Sequence, residues 1–63
     1  MCLSTVYVGS KEQHKEFMRE VSHIEAQDDG FLVTAFLGKQ EYIDGKIISI
    51  DFGNDHGVLI QET

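Results

Sequence analysis

The sequence predicts an all-β fold, a small barrel of five to six short antiparallel strands making a single domain over residues 1–63. Three observations carry that expectation. Turn-forming residues recur at roughly the 8–12-residue spacing of small barrels and sandwiches. The runs between them alternate apolar and polar side chains, and 63 residues leave room for one core only. A domain of this length buries roughly 60% of the surface its unfolded chain exposes. A second copy of the chain would therefore add stability, and a deep catalytic cleft is hard to build within one copy.

The first strand is residues 2–8. Cys2, Ser4, Val6 and Val8 fall on one face and Leu3, Thr5 and Tyr7 on the other, and Gly9-Ser10 ends the run. The stretch Lys11–Gln27 admits two readings. Phe17, Val21 and Ile24 have the i, i+4, i+7 spacing of a helix face, and Ser10 with Gln13 matches a capping box, so the local pattern favours a helix. The competing reading is two short strands, around 14–18 and 21–27, separated by an irregular turn at Arg19-Glu20.

Beyond that point the pattern is β throughout. Asp28-Asp29-Gly30 reads as a hairpin turn in which glycine supplies a positive φ, leading into "FLVTAF" at 31–36. Leu37-Gly38-Lys39 turns the chain again. A long alternating segment follows, with Asp44-Gly45 as a bulge or bend. "DFGNDHG" at 51–57 is a turn, and Val58-Leu59-Ile60 closes the domain.

Composition excludes several functions. The chain is 41% hydrophobic and 25% charged, ordinary for a globular domain. Its five Lys/Arg stand against eleven Asp/Glu, a net charge of −6. That balance argues against nucleic acid and against an anionic membrane surface, where cations supply the affinity. No apolar run approaches the roughly 20 residues that span a bilayer, and residues 1–9 are too short and polar for a signal peptide, so the expected location is the cytoplasm. A single cysteine excludes an internal disulfide and a CxxC zinc site.

No base, nucleophile and orienting partner can be placed together, so the chain does not read as an enzyme. His14, His23 and His56 lack the spacing of a metal frame and stay unassigned. Asp51, Asp55 and His56 share one turn, but turn chemistry alone calls for those residue types there. The six aromatics, Tyr7, Phe17, Phe31, Phe36, Tyr42 and Phe52, could form a base-stacking platform. They fall at apolar positions of the strand pattern, which favours the core.

Cys2 is chemically distinctive. Removal of an initiator methionine is favoured before a small residue, and the chain would then begin with a thiol and a free α-amine on adjacent carbons. These two groups close a five-membered chelate, and the backbone amide of Leu3 can add a nitrogen. The resulting N,S donor set favours square-planar Ni(II) or Cu(II), and the neighbouring ammonium lowers the thiol pKa. One such terminus offers at most three donors, so a two-fold axis near residue 2 would complete a shared site.

"MCLSTVY", "EFMREVSHIE", "DGFLVTAFLGKQ", "GKIISIDF" and "HGVLI" together resemble the CooT-like family of small nickel-binding accessory proteins, associated with maturation of carbon monoxide dehydrogenase. The resemblance covers nearly the whole chain. It implies an SH3-like barrel, a homodimer, and Cys2 as the nickel ligand, and it favours strands over a helix for residues 14–27. It also implies a nickel enzyme such as carbon monoxide dehydrogenase as partner. Related sequences carry the description of predicted RNA-binding proteins, which is the alternative reading.

Overall fold

A computed structural model describes residues 3–54 and 56–63; Met1, Cys2 and Asp55 lie outside the described residues. Five strands follow one another in the chain: β1 (Ser4–Gly9), β2 (His14–Gln27), β3 (Gly30–Ala35), β4 (Gln40–Asp51) and β5 (Gly57–Glu62). They close into a barrel in sequence order, and no helix occurs among the described residues. Four neighbouring pairs are antiparallel, as expected. The fifth pair, β1 with β5, is parallel, which corrects the all-antiparallel expectation. The reason is parity: strands that alternate in direction around a ring of odd number leave the first and last running the same way.

The helix that the local pattern favours is absent, and β2 is a continuous strand of 14 residues. Its helical appearance comes from register irregularities at Phe17, at Arg19-Glu20 and at Ser22, of which the middle one is the clearest. Ser4 pairs with Val21 and Val6 with Met18, so two residues, Arg19 and Glu20, occupy β2 where β1 has only Thr5. The extra residue stretches the spacing of the buried Met18 and Val21 from two to three, which imitates a helical period. The strand reading implied by the family resemblance therefore holds, with the break at Arg19-Glu20 appearing as a bulge within one strand.

β2 and β4 each serve two neighbours in succession. β2 pairs with β1 up to Val21 and with β3 from Val21 onward. β4 pairs with β3 through Asp44 and with β5 from Gly45. At the β2 corner Glu20 adopts φ 54°, and its carbonyl accepts a 2.7 Å hydrogen bond from the Phe36 amide.

The turn between β2 and β3 is the two residues Asp28 and Asp29, and the positive φ belongs to Asp28 at 51° rather than to Gly30. Gly30 instead opens β3, where a Cβ would strike the Ile43 carbonyl and come within 2.8 Å of the Asp44 Cα. Its need is close strand approach, not left-handed backbone. The turn at Leu37-Gly38-Lys39 is present, with Gly38 at φ 103° and its amide bonded to the Ala35 carbonyl at 2.9 Å.

The core is aliphatic: Val6, Val8, Met18, Val21, Val33, Ile43, Val58 and Ile60 form one buried cluster. Phe17 and Phe31 pack against it, half-buried. Phe36, Tyr42 and Phe52 are exposed, at 54%, 42% and 76%, which corrects the expectation that the aromatics fill the core. Eight strands enclose an interior just wide enough for side chains, and five enclose less, so compact branched residues fill it and several rings are left outside.

Candidate functional site

β1 begins at the barrel rim. Leu3, half-buried, precedes it, and Ser4 pairs with Val21 of β2 on one side. On the other side Thr5 pairs with Gly57, and the Thr5 amide donates a 3.1 Å hydrogen bond to the His56 carbonyl. The start of the strand is thus held between β2 and the approach to β5. A shallow pocket lined by Ser4, Val21, Ser22, His23 and Ile24 adjoins it on the β2 side.

Among the residues singled out by sequence, the candidate donor Leu3 lies at this rim, and Cys2 lies outside the described residues. Two histidines that the sequence left unassigned flank the same rim, His56 beside Thr5 and His23 beside Ser4. No local pattern could have revealed this, since His23 stands 19 positions from Ser4 and His56 stands 51 from Thr5, and they meet β1 only through register. His23 Nε2 lies 3.7 Å from Glu25 Oε1, both side chains largely solvent-exposed. His14 is elsewhere, opposite Gly9 at the far end of β1, and packs edge-on against Tyr7 with ring centroids 5.3 Å apart.

The turn after β4 is built as its composition suggested. Asp51 Oδ1 accepts the amides of Gly53 at 2.8 Å and Asn54 at 3.3 Å, while Asp55 lies outside the described residues. His56 adopts φ 48° as the chain enters β5. Among the described residues no group of three or more His, Cys, Asp or Glu side chains is arranged to hold a metal ion.

The exposed aromatics sit on separate elements. Phe36 is in the β3–β4 turn, Phe52 in the β4–β5 loop, and Tyr42 within β4 spends its hydroxyl on the Gln27 carbonyl at 3.2 Å. Hydrogen bonding toward Asp44, partial desolvation and nearby acidic charge raise the Tyr42 pKa above the ordinary tyrosine value.

These features define a class: a small closed β-barrel of five strands whose first strand is paired on both sides from Ser4 and Thr5 onward. The chain belongs to the CooT family, whose model, described as CO dehydrogenase accessory protein CooT, matches residues 1–61. The family is thus one of accessory proteins rather than of enzymes. A solved structure described as "Crystal structure of putative CooT from Carboxydothermus hydrogenoformans" is similar over 98% of each chain, with a TM-score of 0.87 and 19% sequence identity. At that identity the likeness establishes a shared fold. No curated protein matches the chain.

Proposed function

We propose that this chain is a nickel-binding accessory protein acting in the cytoplasm as a metallochaperone, storing Ni(II) or delivering it to a metalloenzyme such as carbon monoxide dehydrogenase. Membership of the CooT family is the observation that carries this reading. With Met1 removed, Cys2 supplies a thiolate and an α-amine and Leu3 a backbone nitrogen. Two copies of an SH3-like barrel, related by a two-fold axis near residue 2, complete the coordination that one terminus leaves open. The metal then joins the two copies as well as being carried by them.

The rim geometry supports this in one respect. Leu3 is anchored between two strands through Ser4 and Thr5, so donors bonded to it start from a fixed point and lose less freedom on binding metal. Selection of nickel over copper rests on availability as much as on affinity, since the same donors bind Cu(II) more tightly.

Titration of Ni(II) into Met1-processed protein and into Cys2→Ala tests the reading. Thiolate-to-nickel charge-transfer absorption is expected in the first and absent from the second, and identical spectra would refute it. Native mass spectrometry of the purified protein reports methionine loss, metal content and dimer mass together.

A further inference from the structure

The outer wall of the barrel carries a second feature, unrelated to the chain start. A shallow cavity of ≈ 210 Å³ opens where β1, β4 and β5 meet the beginning of β2, lined by Tyr7, His14, Ser49, Asp51, Gly57 and Leu59. Register explains the grouping. Tyr7 pairs with Leu59, Leu59 with Ser49, and Gly57 with Asp51. Residues directly opposite across neighbouring strands share a face, so Tyr7, Leu59 and Ser49 form one row on the side of the sheet opposite the core residues Val6, Val58 and Ile60.

Each wall of the cavity is held in place. Leu59 forms an apolar floor, only 8% exposed although it stands outside the core cluster. His14 braces the Tyr7 ring at an interplanar angle of 75°, and His14 Nδ1 lies 2.9 Å from the Ser10 carbonyl oxygen. Asp51 is fixed at the mouth by the amides of Gly53 and Asn54, both on Oδ1, and Gly57 contributes no side chain to fill the space. Among the described residues the lining contains one carboxylate and no lysine or arginine.

That combination specifies a ligand chemistry. A carboxylate beside a hydroxyl and an aromatic ring attracts a cation, and an apolar floor suits the methylene stem that lysine and arginine lay along a surface. The volume falls below the roughly 300–1,000 Å³ of sites for drug-sized ligands, which fits a single side-chain-sized group. We propose that this cavity binds one alkyl cation of the arginine or lysine type, its head against Asp51 and Ser49 and its stem along Leu59 and Tyr7. The net charge of −6 favours the encounter, and the site stands whether or not the chain binds nickel.

The test is an amide chemical-shift titration of the full chain with butylguanidinium, with its neutral counterpart butylurea, and with a capped Gly-Arg-Gly peptide. Saturable shifts centred on Tyr7, Gly57 and Leu59 are expected from the two cations, with butylurea at least about tenfold weaker. Asp51→Asn keeps the oxygen that caps the turn but removes the charge, so it is expected to fold as the parent and to weaken cation binding about tenfold. A tighter peptide would assign the cation to a partner protein, and a tighter free cation would assign it to a small molecule. Equal binding of butylurea, shifts centred instead on the Asp28-Asp29 turn, an unaffected Asp51→Asn, or no response to either cation would each overturn the proposal.

Discussion

The corners of β2 and β4 solve one geometric problem in two ways. Each lies where a long strand leaves one neighbour for the next. At the β2 corner an extra residue loosens the ladder, and an ordinary side chain, Glu20, accepts a left-handed φ of 54°. At the β4 corner the ladder passes from Asp44 to Gly45 without an inserted residue, and a Cβ on Gly45 would strike the Gln61 carbonyl oxygen and approach the Glu62 Cα at 3.1 Å. A bulge tolerates many residues at some conformational cost. A tight crossing tolerates glycine alone.

Substitution at the tight corner gives the largest expected effect. Gly45→Ala forces β4 away from β5 and is expected to cost about 3 kcal/mol, read as a lower denaturant midpoint. Because it loosens the pairing of β4 with β5, amide exchange of Lys46 and Gln61 should rise before that of Val33, and unchanged stability would break the comparison.

The loose corner predicts the opposite sign and a smaller size. A left-handed conformation costs a non-glycine residue roughly 1–2 kcal/mol, and glycine returns roughly 0.5–1 kcal/mol of that through its freer unfolded state. Glu20→Gly is therefore expected to stabilise the protein by about 0.5 kcal/mol. A clear destabilisation would mean that the Glu20 side chain holds the corner.

The subtlest test concerns the tether between the two long strands, the hydrogen bond from Tyr42 of β4 to the Gln27 carbonyl at the end of β2. The folded-state pKa of Tyr42 is raised, chiefly by hydrogen bonding toward Asp44. The folded state thus favours the protonated phenol. Its contribution is fully present below the unfolded tyrosine pKa and is lost as pH rises through the higher folded value. Thermal scans are expected to show a small decline in stability across that alkaline window, shallower in Tyr42→Phe.

Legibility in the sequence follows the same division. The Asp44-Gly45 corner was readable because glycine between alternating runs has few other uses. The Arg19-Glu20 corner was legible only in part: the competing two-strand reading broke the chain there, but a bulge shifts the apolar spacing toward a helical period, and only the family resemblance favoured strands. The turns read at Asp28-Asp29-Gly30 and Leu37-Gly38-Lys39 were legible from their residue types, to within one residue at each, whereas the reason for Gly30 was not, since its close neighbour Ile43 lies 13 positions along the chain. At the site, residue 2 stood out by the chemistry of its position. His23 and His56 carried no local signal, and the groove under Tyr7 unites residues from four separate strands or turns.

The sequence by itself determined the all-β class, the placement of most turns, the acidic character of the chain and the candidate donors at its start, because those follow from alternation, residue type and bond chemistry. The tertiary structure alone decided that β2 is one bulged strand, that β1 and β5 close the ring in parallel, and that His23 and His56 flank the start of β1. Those outcomes depend on register between distant segments, where pairing energy across the barrel overrides the preferences of any single stretch.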